Sequence, residues 1–272
     1  MYALASPCVA GRAPLLAHTP RSLLAILGLA AASAWTLAVA GVMPVALARA
    51  VAGGVAQGAL MATAVAWTID GGDRARAVWP AGVAVVAVAG AIGASLSPYG
   101  AIAYLLAPLW FWRRRERLPA LGLQPPYPAR LTALGTAVGA VLGAHLTITA
   151  SLTLGYRVGP PALATLAPWL AYDAGANVLA AECFFRGALF DRAQRRWPLA
   201  MAAALTTALC LARYLVDPLL PRTLEVAAGA AFYIGLLSAA NCWLYWRSGS
   251  VVPGLAAGVV FFAVYRLLHA VR

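Results

Sequence analysis

The chain has 272 residues, 63% of them hydrophobic and only 10% charged, and its formal charge is +12. A soluble domain carries about a quarter charged residues, and surface-to-volume scaling leaves much of any water-soluble chain near solvent, so this composition excludes a soluble fold. Segments of about ten alternating residues are absent, which excludes a transmembrane β-barrel. The expectation is an all-α, polytopic transmembrane bundle of about eight or nine spans, each needing about 20 apolar residues.

In chain order, residues 1–21, with Arg12, His18 and Arg21, read as a leader without a cleavage pattern, ahead of an uncleaved first span. The first apolar run is Ser22–Ala48. The second, Val51–Ile69, stops at Asp70-Gly-Gly-Asp-Arg. The third, Val78–Leu96, stops at Ser97-Pro98-Tyr99-Gly100. Ala101–Trp112 is short enough to be either a thin fourth span or a re-entrant piece, and Trp110 and Trp112 suit a headgroup belt. The strongest punctuation follows: Arg113-Arg-Arg-Glu-Arg117 and a Pro-rich stretch. It divides the chain into N-terminal helices (1–112), a basic cytoplasmic loop (113–130) and a second transmembrane domain (131–272). The second domain holds runs at Leu131–Leu154, Leu166–Phe190, Leu199–Leu219, Leu224–Tyr245 and Val251–Leu268.

All 20 basic residues are Arg, and they lie mostly in short loops. That placement fits topology signals and contact with membrane lipids, and argues against nucleic acid as a partner. With Ala101–Trp112 counted as a span and the N-terminus inside, thirteen arginines fall on the cytoplasmic side (12, 21, 74, 76, 113, 114, 115, 117, 130, 192, 195, 196 and 247) and four outside (49, 157, 222 and 272). The Ala, Gly and Val bias suggests a GC-rich bacterial genome, and hence a bacterial inner membrane. Gly135, Gly139 and Gly143, and likewise Gly54 and Gly58, form small-residue ridges that admit a close helix neighbour. The four Cys show no metal or disulfide spacing, and no cofactor motif is present.

Ionisable groups at membrane depth cost about 2.5–3.5 kcal/mol each on insertion scales, so their positions mark the interior. They are Asp173, Glu182, Arg186, Arg213, Asp217, Glu225 and Arg266, beside neutral His145, Asn177 and Asn241. The densest group is Asp173, Asn177, Glu182 and Arg186 on one helix. Glu182 and Arg186 are spaced i,i+4 with the acid first, the better orientation for a pair. Arg213 lies mid-span and needs an acid. Asp217 and Glu182 are the candidates, and a Glu182–Arg213 pair, or a triad with Arg186, would lock the site. Arg266 and Glu225 are near enough to helix ends to snorkel. His145 reads as a packing residue.

Ala181-Glu182-Cys183-Phe184-Phe185-Arg186-Gly187 resembles the Glu-Glu-x-x-x-Arg-Gly motif of the CPBP family, the CAAX-protease and bacteriocin-processing intramembrane proteases of the Rce1 type. The basic Arg113–Arg117 stretch with Leu121-Gly-Leu123 resembles the family's lead-in. Phe232-Tyr-Ile-Gly235 and Ser248-Gly-Ser-Val-Val-Pro-Gly-Leu-Ala-Ala257 resemble its later blocks. The resemblance implies catalytic positions, and most are filled by other residues. The leading Glu, which activates water, falls on Ala181; the second Glu and the Arg fall on Glu182 and Arg186. Phe-x-x-x-His falls on Leu209–Arg213, and His-x-x-x-Asn on Gly258–Phe262. Ala181, Gly258 and Phe262 cannot act as base, oxyanion donor or proton carrier, and Arg213 stays protonated. Glu182, Arg186 and Arg213 are therefore the expected remnants of a catalytic site, with Asp173 and Asn177 as binding groups. The leading reading is a pseudoprotease that binds a membrane protein or peptide segment. A divergent active endopeptidase, with Glu182 as base, and an unrelated transporter-like protein are the alternatives.

Overall fold

The computed structural model describes residues 19–70, 72–159, 161–215 and 224–269. The leader, Cys8, Arg12, Asp217 and Arg222 lie outside the described residues, as does the end of the seventh expected span.

The described chain is helical throughout its spans, as composition requires. The first expected span is divided: α1 covers Arg21–Val39 and α2 covers Val45–Thr68. Between them Gly41 adopts a left-handed φ of 73°, and Pro44 sits just before α2, where its fixed φ and missing N–H suit a helix start. The residues of this turn are as apolar as a helix interior, so hydropathy alone ran the span through to Ala48. Helix α3 (Asp73–Leu96) packs on α2 across the Gly54/Gly58 ridge, where added Cβ atoms would meet Ala91, Val88 and Ala84.

The short fourth stretch folds as a 3₁₀ helix, Pro98–Leu105, running into α4, Leu106–Arg114. The 3₁₀ rise is longer per residue, so the two pieces together extend about 30 Å, comparable to a hydrocarbon core. They return antiparallel to α3. Gly93 faces Gly100 and Ala103, Gly90 faces Ala103, Gly82 faces Trp110, and the Arg114 guanidinium lies 4.6 Å over the Trp79 ring. The chain therefore comes back to the end at which α3 began.

Helix α5 (Ala129–Leu154) carries the second glycine ridge, and its partner is α9 (Val252–Tyr265). Cβ atoms at Gly135 and Gly139 would meet the carbonyls of Pro253 and Ala257, and one at Gly143 would meet Val264. Helix α6 runs over residues 163–193 and twice widens into π turns, at Asp173–Asn177 and Glu182–Phe190. Helices α7 (Leu199–Leu215) and α8 (Leu224–Ser248) complete the bundle. Helices α1, α2, α3 and α5 are long and apolar enough to cross a membrane, while α7 and α9 are shorter apolar helices.

One buried apolar cluster mixes the two halves, joining Met61, Val65, Val83 and Phe111 to Leu179, Cys183, Phe190 and Tyr245. Hydrogen bonds gather four connections at one end of the bundle. Asp70 N donates to Arg117 O (2.9 Å), Val251 N to Leu121 O (3.0 Å), Tyr245 OH to Ala120 O (2.5 Å) and Ser250 Oγ to Gly122 O (2.6 Å). The stretch after the arginine run is partly packed into the bundle: Leu118 and Leu121 are fully buried, while residues 124–127 are exposed. Gly187 is what lets Leu121 seat, since a Cβ there would overlap its side chain. At the opposite end Arg157–Val158 pairs antiparallel with Leu268–His269.

Candidate functional site

Helix α6 passes through the interior with every residue from Ala176 to Cys183 buried, and its polar side chains fall into two layers. In the first, Glu182 and Arg186 are 3% and 2% exposed, and Arg186 Nη1 lies 3.2 Å from Glu182 Oε1. The i,i+4 spacing that predicted this pair holds within the π turn. Asn241 on α8 donates from Nδ2 to the same Oε1 at 2.9 Å and to the Gly254 carbonyl at 3.3 Å. Arg186 Nη1 also lies 3.5 Å from Cys210 Sγ on α7. Gly254 is required on α9, because a Cβ there would land on Glu182 Oε2.

Asn241 emerges as the neighbour of Glu182, although sequence reasoning did not assign it a role in the site. The signal was a lone amide in the apolar middle of a helix, which needs a partner as a charge does. Among the described residues, three buried polar atoms of this layer have no hydrogen-bond partner: Glu182 Oε2, Asn241 Oδ1 and Arg186 Nε. They amount to two acceptors and one donor on three side chains already joined to one another.

The second layer lies roughly 13 Å along α6, by helical rise. Asp173 is fully buried and receives Arg266 Nε and Nη2 at 3.1 and 3.2 Å, with Asn177 Nδ2 at 3.1 Å. Arg266 therefore does not snorkel: a buried carboxylate on α6 holds it, with the Trp169 ring 5.2 Å from its guanidinium carbon. Arg213 Nη1 donates to Asn177 Oδ1 at 2.8 Å. The expected Glu182–Arg213 pair does not form among the described residues. Asn177, a turn and a half nearer the start of α6, offers Arg213 a carbonyl oxygen, while Arg186 and Asn241 occupy Glu182. Asp173, Asn177 and Arg213 are thus brought together, apart from Glu182 and Arg186. His145 meets the Tyr233 hydroxyl at 2.7 Å, away from both layers.

A narrow pocket of about 250 Å³ of empty space, mouth included, opens on the Glu182 layer. Gly258 and Phe262 line it, as do Cys210 and Tyr214. From α7 it is Cys210 and Tyr214 that face the pocket, one residue out of phase with the aligned Leu209 and Arg213. The Tyr214 and Phe262 rings stack at 5.9 Å and 27°, closing the space between α7 and α9. A Cβ at Gly258 would press on Val178 at 2.5 Å, so α9 has approached α6 where the resemblance expects a histidine. The residues here do not fit a metal centre: among the described residues no three His, Cys, Asp or Glu side chains converge.

Chemically, the layer offers one carboxylate engaged by two donors, one permanent cation, a thiol, a phenol and an amide. It lacks a second carboxylate, because Ala181 stands at that position, buried and inert. A multi-pass helical bundle with a Glu–Arg pair buried on one span defines a polytopic integral membrane protein. Residues 163–265 match the family model described as type II CAAX prenyl endopeptidase Rce1-like, which supports a CPBP/Rce1-like assignment for this part of the chain. No curated protein and no solved structure matches it closely enough to say more.

Proposed function

We propose that the protein is a catalytically inactive relative of the CAAX endopeptidases that binds a membrane protein or a peptide segment without cutting it. The observation that carries this reading is the state of Glu182. Its Oε1 is shared by Arg186 and Asn241, and Gly258 and Phe262 line its pocket where the resemblance expects histidine and asparagine. Hydrolysis of an amide in a bilayer needs a base for water, donors for the oxyanion and a proton for the leaving amine. Arg186 is a donor only, and Asn241 cannot take a proton at neutral pH. The arginine-rich end of the bundle supports a bacterial inner-membrane orientation with that end, and the N-terminus, in the cytoplasm.

A divergent active endopeptidase is the second reading. The unpartnered Glu182 Oε2 and Asn241 Oδ1 favour it, since a water could be held between them. One experiment separates the two. The full chain in lipid nanodiscs is incubated with a prenylated CAAX peptide, and products are followed by mass spectrometry. No cleavage is expected, and a partner should co-purify from native membrane. Cleavage that disappears in Glu182→Gln would overturn the inactive reading.

A further inference from the structure

We propose that the C-terminal end of α4, with the arginines that follow it, is a binding site for an anionic phospholipid. Arg113, Arg114, Arg115 and Arg117 crowd four guanidinium groups around a single Glu116. None of these five charged groups forms an ion pair among the described residues. At the same end Arg195 is bonded to Asp191 at 2.8 Å, while Arg74, Arg76, Arg130, Arg196 and Arg247 form no ion pair among the described residues. What sets the α4 cluster apart is its density, four cations and one acid in five consecutive residues.

The arginines are held in place by aromatic faces. Arg114 lies over Trp79 (4.6 Å) and Arg115 over Trp112 (4.4 Å), while Trp112 stacks on Tyr127 at 6.2 Å. Arg115 Nη1 donates to the Trp112 carbonyl, and its buried Nε has no acceptor among the described residues. With Arg115 fixed in this way, the exposed guanidinium groups of Arg113, Arg114 and Arg117 are the donors that phosphate oxygens suit. Below the arginines, Leu105, Leu109 and Trp112 are 43%, 46% and 50% exposed. Their i, i+4, i+7 spacing sets them in one stripe leading to the cluster. An apolar stripe crowned by indoles and guanidinium groups matches an acyl chain beneath a phosphate headgroup. An acidic protein segment would satisfy the charge but would leave the stripe uncovered, so the lipid is the better fit. This site lies apart from Glu182 and stands whether or not the pocket is catalytic.

The test uses the full chain, delipidated in a neutral detergent and titrated with phosphatidylglycerol or phosphatidylcholine, with bound lipid counted by native mass spectrometry. Phosphatidylglycerol should be preferred. Each arginine near a headgroup contributes about 1 kcal/mol, about fivefold, so Arg114→Gln with Arg115→Gln should weaken that preference roughly 25-fold. Arg49→Gln, an exposed position at the other end of the bundle, should leave it unchanged. Melting curves in neutral detergent verify that the variants fold. Equal binding of the two lipids by the unmodified chain overturns the proposal, as does an unaltered preference in the double variant. Retention of an acidic protein fragment without lipid discrimination overturns it too.

Discussion

Replacing Arg186 with Met tests the arrangement around Glu182 most directly. Met approximates the length of the side chain but removes the guanidinium, leaving a carboxylate that is 3% exposed with Asn241 as its remaining donor. Removing one member of a buried pair costs about 3–5 kcal/mol, because the other charge stays buried. The Asn241 bond, made to a charged acceptor, survives and offsets part of this, so a loss of about 3 kcal/mol is expected. At about 2–4 °C per kcal/mol for a chain of this size, the melting midpoint should fall by about 6–12 °C. Glu182→Gln combined with Arg186→Met removes both charges and keeps an amide for Asn241, and it should recover to within about 1 kcal/mol of the unmodified protein. The assay is reversible unfolding in mixed micelles for all four members of the cycle. An unaffected single variant, or a double variant as unstable as the single, would refute the premise that Glu182 is charged and held chiefly by Arg186.

Three further outcomes follow from the packing. Gly254→Ala places a methyl group on Glu182 Oε2 and should cost about 1–3 kcal/mol, read as a lower melting midpoint, with Asn241→Ala relieving part of it by freeing the carboxylate to move. Asn177→Ala and Arg213→Ala should couple by about 0.6–1.7 kcal/mol in a double-mutant cycle, whereas Arg213→Ala and Glu182→Gln should add within about 0.5 kcal/mol; coupling to Glu182 instead would contradict the two-layer arrangement. Gly139→Leu forces α5 away from the Ala257 carbonyl and should abolish a stable bundle, measured as loss of monodisperse protein in detergent, while Gly28→Leu, with open space around it, should be tolerated.

The helices were legible because apolar length is nearly all a span needs, and both glycine ridges found the neighbours their spacing implied. The Ala40–Pro44 turn was not, since its residues keep the hydropathy of the flanking helices and only backbone torsions mark it. The π turns in α6 leave no compositional trace either. At the site, Glu182–Arg186 could be read from spacing within one helix. Partners across helices could not: Arg266 near a helix end looked free to reach the headgroups, but a buried Asp173 outcompetes water for it. Arg213 donates to a neutral carbonyl on Asn177 rather than to Glu182, and Asp217, its other expected partner, lies outside the described residues. Choice of partner in the interior follows from the rotation of each helix, and a single sequence carries little of that information.

The approach of α9 to α6 at Gly258 bears on which side chains this site can accommodate. A histidine restored at 258 would meet Val178 at its first side-chain atom, and an asparagine at 262 would break the stack on Tyr214. Val178 and Tyr214 have settled into the room that larger polar groups would need. Placing imidazole and amide groups at 258 and 262 therefore requires concerted change on three helices, with each single step disfavoured by packing. Among close relatives, a small residue at 258 should be inherited together with a bulky residue at 178, as one linked pair of characters.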